Sequence, residues 1–293
     1  MMMSGRLVQG RGGLYTARDE NGQEYVLRAK NRFRREGIRP LVGDMVRFTP
    51  GKLDEHGWIE EILPRTSYSI RPPVANITQL IILLAPEPQA DLLLLDKLLI
   101  FAFRQGIIPL VLVNKSDLDD ELGESIKKSY EPAGVRVIAA SAYEKTGFDE
   151  LKGLMKGHIN CFAGQSGVGK STLISRLTGF DLETGAVSRK TRRGRQTTRH
   201  ISFIEQDGFT LLDTPGFSLF ELPDEVEPEH LRDFYPEFTD LQSGCRFEVC
   251  LHNKEPDCAV QNAMEQGSLD PGRLERYRIL LDTQIEKRSN RYA

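Results

Sequence analysis

Gly164-Gln165-Ser166-Gly167-Val168-Gly169-Lys170-Ser171 constrains the fold more than any other stretch of the chain. It fits G-x-x-x-x-G-K-[ST], a loop whose backbone N–H groups wrap a polyphosphate. Such a loop works between a buried strand and a helix, because the helix N-terminus adds partial positive charge to the cradle. Both neighbours are present. Ile159 to Ala163 is an apolar run of strand type, and Thr172-Leu173-Ile174-Ser175-Arg176-Leu177 reads as the first turns of a helix. The motif assigns Lys170 to the β- and γ-phosphates and Ser171 to Mg²⁺, with Gly164 to Thr172 forming the cradle.

The strands around it are those of an α/β domain. Ile77 to Ala85 reads as a strand, continuously apolar from Leu80 to Ala85, as a strand covered on both faces must be. Leu95, Leu98, Leu99 and Ala102 recur at helical spacing within Leu92 to Arg104, which is core packing. Ile108 to Val113 is a further strand, and it ends in Asn114-Lys115-Ser116-Asp117. This tetrapeptide matches [NT]-K-x-D. A carboxylate at Asp117 accepts the N1–H and the exocyclic N2–H₂ of guanine together, a charge-assisted pair that adenine does not offer. Asn114 would hold the loop, and the Lys115 stem would pack on the purine plane. The other reading, a helix cap with Asp117 as an N-terminal acid, is disfavoured by the position, since ligands of open α/β sheets sit at the C-terminal ends of strands. A helix near Asp120 to Tyr130 and a strand, Val135 to Ala140, lead to Ser141-Ala142, whose backbone amide would read the guanine O6.

Downstream of the phosphate loop, Lys190 to His200 is basic and without apolar periodicity, and Thr197 or Thr198 would close on Mg²⁺ and the γ-phosphate. Ile201 to Glu205 and Thr210 to Leu212 read as strands, the second ending in Asp213-Thr214-Pro215-Gly216. Asp213 would hold Mg²⁺ through water, and the Gly216 N–H would meet the γ-phosphate. The next residue is Phe217, not a glutamine able to orient the attacking water.

Residues 1–67 read as a separate module of five short strands, with Asn21-Gly22 marking a tight hairpin, and an OB-type barrel is expected. Net charge is −3, but residues 1–72 hold 13 Lys and Arg against nine Asp and Glu, so this end is +4 and the remainder −7. Arg28 to Arg39 carries six basic residues around Phe33 and reads as a loop suited to RNA phosphates and base stacking, or else as a solvated loop with incidental charge. Arg71-Pro72-Pro73 looks like a linker into the α/β domain, expected over 68–224.

The last unit, 225–293, is of helical outlook, with Glu229 to Phe234 and Asp270 to Arg288 as candidates, and looks too short for a large core. Cys245-x₄-Cys250-x-His252-x₅-Cys258 supplies three thiolates and one imidazole, a closed tetrahedral Zn²⁺ set of structural type that would make up the missing stability. Cys161 falls in the phosphate-loop strand and reads as a small buried residue. Met1 to Gly5 lacks the apolar run of a signal peptide and no run is long enough to span a bilayer, so a cytosolic protein is expected.

In ordinary small GTPases the phosphate loop comes first and the N-K-x-D loop follows; here the order is reversed. Circular permutation of one sheet accounts for this, because nearby termini can be rejoined. The permuted order resembles the ribosome small subunit-dependent GTPase A family of bacterial 30S biogenesis factors, over essentially the whole chain. The residues that carry the resemblance are Asn114 to Asp117, Gly164 to Ser171, Gly194 to Thr198, Asp213 to Gly216, and Cys245, Cys250, His252 and Cys258. It implies GTP hydrolysis stimulated by the small subunit, GTP/GDP and Mg²⁺ as ligands, contact with the 30S subunit and its 16S rRNA, and a monomer. Many members have His before the paired threonines, where this chain departs with Gln196. Two other readings are a nucleotide-gated RNA scaffold and an ATP-dependent kinase; Asp117 argues against the second.

Overall fold

The computed structural model describes residues 2–51, 55–70, 72–179, 202–213 and 220–291 of the chain. The switch candidates Gln196, Thr197, Thr198 and Gly216 lie outside the described residues, as does the side chain of Asp213.

Alternating apolar residues at the N-terminal end fold as five strands: β1 (Met3–Arg11), β2 (Leu14–Arg18), β3 (Glu24–Ala29), β4 (Met45–Thr49) and β5 (Gly57–Ile62). They close into a barrel in the order β1-β2-β3-β5-β4 around Leu7, Ala17, Leu27, Val46, Phe48 and Ile59. The segment expected to be a plain loop contains a short helix, α1 (Asn31–Arg35), whose Phe33 joins that core. One apolar residue in five carries no helical period, which is why the sequence does not announce it. The expected linker likewise holds an antiparallel ribbon of β6 (Tyr68–Ile70) and β7 (Pro73–Ala75). Arg65 fastens the ribbon's entry to the barrel by a two-pronged pair with Asp44, at 2.7 and 2.8 Å.

The central sheet runs β10-β9-β8-β11-β13-β12, with β8 (Gln79–Leu84), β9 (Ile108–Val113), β10 (Arg136–Ala139), β11 (Ile159–Gly164), β12 (Ser202–Gln206) and β13 (Phe209–Asp213). Pairs are parallel except β12 with β13. Leu80, Ile82 and Leu84 face a core shared with α2 (Leu92–Arg104) and α3 (Glu121–Tyr130). Ile81 and Leu83 face one shared with α4 (Phe148–Met155) and α5 (Lys170–Thr178). All six residues of β8 are buried, which accounts for the apolar run from Leu80 to Leu84. Strand β11 comes after β8 and β9 in the chain yet pairs with β8 on the side opposite β9. The loops that leave β9 and β11 therefore emerge as near neighbours at the same edge of the sheet.

The C-terminal unit is more solidly packed than its length suggests. Helices α6 (Pro228–Leu231), α7 (Pro236–Gln242), α8 (Ala259–Glu265) and α9 (Pro271–Arg291) enclose Tyr235, Phe238, Tyr277, Leu280 and Leu281. The core also takes in Ile100 from α2. A buried charge cluster reinforces this seam. The Arg273 guanidinium donates to Asp96 on α2 at 2.7 Å, and pairs with Glu237 at 2.6 Å. Arg276 donates to Asp96 at 2.8 Å and to the Tyr130 hydroxyl at 3.1 Å. No described helix is long and apolar enough to cross a membrane.

Candidate nucleotide site and metal centre

Two glycines show why the phosphate loop needs its sequence. Gly164 ends β11 with φ +136°, and a Cβ there would lie 2.4 Å from the Leu83 carbonyl oxygen. Gly169, at φ +90°, caps α5, and its Cβ would fall 2.4 Å from Asn114 Nδ2. Any side chain at either position would push the loop off the strand or out of register with the loop beyond. The loop thus leaves its backbone bare in front of the α5 N-terminus, the arrangement a polyphosphate requires. Lys170 and Ser171 open that helix, with Ser171 exposed and Val168 buried beneath it.

The N-K-x-D loop is fastened directly to this cradle. Asn114, at 1% exposure, donates from Nδ2 to the Val168 carbonyl at 2.8 Å and accepts at Oδ1 from the Ala142 N–H at 3.3 Å. One side chain therefore ties the phosphate loop, the end of β9 and the Ser141-Ala142 turn together. Lys115 adopts φ +60°, uncommon for a residue with a Cβ. Its ammonium donates to Gly167 O at 3.0 Å and to Glu87 O at 2.5 Å, which lays its stem across the gap between the loops. Strain of this kind persists where surrounding contacts over-determine it, commonly at binding sites. Asp117 is exposed, and its carboxylate accepts from the buried Ser141 hydroxyl at 2.5 Å. Each carboxylate oxygen has two lone pairs, so that contact still leaves both oxygens able to accept from a base edge. Asn114, Lys115, Asp117, Ser141 and Ala142 thus converge with Gly164 to Ser171 on one edge of the sheet, although they are far apart in the chain.

Residues 87–91, between β8 and α2, form a part of the site that sequence reasoning missed. The Gln165 side chain does not point freely into the cradle. Its Oε1 accepts from the Asp91 N–H at 2.8 Å and its Nε2 donates to Gln89 O at 3.0 Å. Asp91 in turn caps α2 by accepting from the Leu94 N–H at 2.9 Å. The only sequence signal was that this segment leaves the C-terminal end of a central parallel strand.

In the C-terminal unit Cys245, Cys250, His252 and Cys258 gather, with their ligand atoms all within 4.8 Å of one another. His252 Nδ1 stands 3.3 Å from Cys258 Sγ and 3.7 Å from Cys245 Sγ. Zn–S and Zn–N bonds of about 2.3 and 2.0 Å set the edges of a tetrahedron at roughly 3.5–3.8 Å, so the four donors fit one zinc ion. Burial pushes the Cys250 thiol up to about 12 and, with Arg232 adding to it, draws His252 down to about 4. A site held in that neutral state exchanges thiol protons for a cation as the metal enters. The turn that presents His252 is shaped by Glu255, whose carboxylate accepts from the N–H groups of Leu251, Asn253 and Lys254 at 2.8, 2.8 and 3.1 Å.

Comparison with known proteins agrees with this geometry. Residues 62–223 match the RsgA GTPase family and residues 4–59 the RsgA N-terminal domain. A protein of Ruminiclostridium cellulolyticum named small ribosomal subunit biogenesis GTPase RsgA is 42% identical, covering 94% of this chain and 92% of that protein. One of the same name from Caldanaerobacter subterraneus subsp. tengcongensis is 41% identical over 99% and 98%. Among solved structures, YjeQ from Thermotoga maritima superposes with a TM-score of 0.81 at 30% identity, covering 97% of this chain and 99% of that one. YloQ, described as a circularly permuted GTPase, gives a TM-score of 0.79 at 29% identity, over 98% and 96%. With the N-K-x-D loop preceding the phosphate loop, both meeting at one edge of the sheet, and full-length relatives of the same architecture, the chain belongs to the RsgA family of circularly permuted GTPases.

Proposed function

We propose that the chain hydrolyses GTP during late maturation of the small ribosomal subunit, in the cytosol and as a monomer, with 30S subunits stimulating turnover and 16S rRNA as a contact. The observation that carries the reading is the Asn114 Nδ2 bond to Val168 O at 2.8 Å, which sets a guanine-selecting loop beside a phosphate loop. In this reading Asp117 takes the N1–H and N2–H₂ of guanine, the Ala142 amide and Ser141 meet its other edge, and Gly164 to Thr172 hold the phosphates. Lys170 neutralises charge on the β- and γ-phosphates; Mg²⁺, held by Ser171 and through water by Asp213, supplies the rest. Thr197 or Thr198 and Gly216 close on the γ-phosphate. The Phe217 position offers no group to orient water, so intrinsic hydrolysis is slow. The units 1–67, 68–224 and 225–293 are an RNA-binding barrel, the GTPase domain and a domain held by one structural Zn²⁺.

The test is single-turnover GTP hydrolysis with and without purified 30S subunits. Strong stimulation is expected, and equal rates would refute the reading. Lys170→Ala should abolish turnover under both conditions.

A further inference from the structure

We infer that the open groove between α1 and the β5–β6 connection, about 510 Å³ and lined by Arg32, Phe33, Ile38, Arg65 and Tyr68 among others, receives an unstacked nucleobase of single-stranded RNA. Its size is that of a small-molecule site. The inference rests on the RNA-binding reading of the barrel and names a surface within it. No residue of β2 or β3, the usual nucleic-acid face of such barrels, lines this groove.

Three observations carry it. The first is a pair of flat cationic surfaces against aromatic rings. The Arg32 guanidinium lies 5.1 Å from the Phe33 ring centroid, and that of Arg65 lies 5.8 Å from the Tyr68 ring centroid. Arg65 is fixed in place by both Asp44 oxygens and by its bond to Arg39 O at 2.6 Å, so this platform is pre-formed. Bases stack on such guanidinium and aromatic planes. The second is exposed apolar surface: Ile38 is 42% and Tyr68 47% exposed, beside a Phe33 that floors the groove at 5%.

The third is charge. Arg28, Arg32, Arg34 and Arg35 are exposed and in no ion pair among the described residues. Arg273, Arg276, Arg288 and Arg291 in the C-terminal unit, by contrast, are each paired with an acid. Unpaired arginines on and just before a short helix are suited to phosphates. Inside the groove Glu36 and Glu61 line the wall, and Glu61 is already held by Arg47 at 3.2 Å. These carboxylates repel a phosphate from the interior and leave the apolar, stacking interior to a base. Backbone phosphates then track along Arg34 and Arg35 at the rim.

The experiment uses the full chain and fluorescence anisotropy with a labelled 12-nucleotide oligoadenylate and a blunt RNA duplex. The double variant Ile38→Ala/Tyr68→Ala should bind the single strand about tenfold more weakly, the cost of losing one stacked base. It should bind the duplex as the parent does and keep the parent's basal GTPase rate. Arg34→Ala/Arg35→Ala should weaken both RNAs and reduce the slope of log affinity against log salt by about 1.4 for the single strand, one phosphate for each arginine. Single-strand affinity of I38A/Y68A within twofold of the parent would overturn the groove while leaving RNA binding by the barrel intact. The same result with weakened binding to intact 30S subunits would instead assign the groove to a ribosomal protein. Absence of RNA binding by the parent would overturn both the groove and the RNA reading beneath it.

Discussion

Removing the Asn114 side chain tests the link on which the nucleotide site depends. Asn114→Ala leaves the Val168 carbonyl and the Ala142 N–H without their side-chain partner, at positions that are 0% and 7% exposed. Water does not reach them readily, so each group costs about 1–3 kcal/mol when orphaned. The full cost is felt only where the two loops are held at the spacing a nucleotide spans. In the free protein they relax apart and recover part of it. A net penalty of about 2 kcal/mol on the bound state corresponds to a roughly 30-fold loss of affinity. The assay is a fluorescence titration with N-methylanthraniloyl-GDP, checked by calorimetry with GDP. Asn114→Asp sharpens the test. It preserves shape and the acceptor for Ala142 but sets a carboxylate oxygen against Val168 O, so it should bind more weakly than the alanine variant. Affinity of Asn114→Ala within threefold of the parent would show that the loops are positioned by something else, and the reasoning would fail.

Other perturbations separate the remaining claims. Asp117→Asn turns a double acceptor into a group that donates as well, and preference should move from guanine toward xanthine nucleotides in competition binding; retained GTP preference counts against the base contact. Arg273→Met strands Glu237 and halves the compensation of Asp96, both nearly inaccessible, so a loss of about 3–5 kcal/mol is expected. Arg291→Ala breaks an exposed pair with Glu227 and should cost under about 1 kcal/mol; similar melting shifts for the two would refute the distinction. Burial raises the Glu255 pKa, but backbone donors, including Leu251, Asn253 and Lys254, outweigh it and the net shift is downward. Its contribution is then fully present above the ordinary Glu pKa of about 4.3 and lost as pH falls below that. The stability gap between the parent and Glu255→Gln, followed by near-UV circular dichroism, should narrow as pH drops from about 6 to about 3.

The nucleotide site was legible because its chemistry is local. Gly164 to Ser171 and Asn114 to Asp117 are contiguous stretches whose backbone conformation is dictated by glycines and by the end of a buried strand. What joins them was not legible. That Asn114 reaches Val168, or that Gln165 grips residues 89–91, depends on which strands lie side by side, and a permuted order hides this from a linear reading. Helix α1 escaped detection because five residues hold no period. Helices α7 and α8 were missed for a similar reason: seven residues each, with their apolar positions serving a core formed by distant partners. The buried Arg273 was equally hidden, since an arginine on an amphipathic helix reads as solvent-facing until Asp96 and Glu237 are seen beneath it.

Permutation also explains why the C-terminal unit sits where it does. In this chain the strand that ends at Asp213 is followed, within a few residues, by Phe220 and Glu221, instead of by the strand that carries the base-reading loop. Those residues settle on α2: Phe220 stacks edge-on against Phe101 at 5.2 Å, and Lys97 donates to both Glu221 oxygens at 2.8 and 2.9 Å. Helix α2 therefore answers to three parts of the molecule. Its apolar side, with Leu95, Leu98 and Leu99, belongs to the core of the sheet; Ile100 and Asp96 belong to the C-terminal unit; and its cap, Asp91, is gripped by Gln165 of the phosphate loop. Moving Arg273 away from Asp96 would break an ion pair whose carboxylate is at 0% exposure in the packed chain, a costly step unless α2 moves as well. Helix α2 is in turn held to the phosphate loop, where Gln165 accepts from the Asp91 N–H. The C-terminal unit and the phosphate loop are thus joined through one buried ion cluster and one helix, 13 residues long.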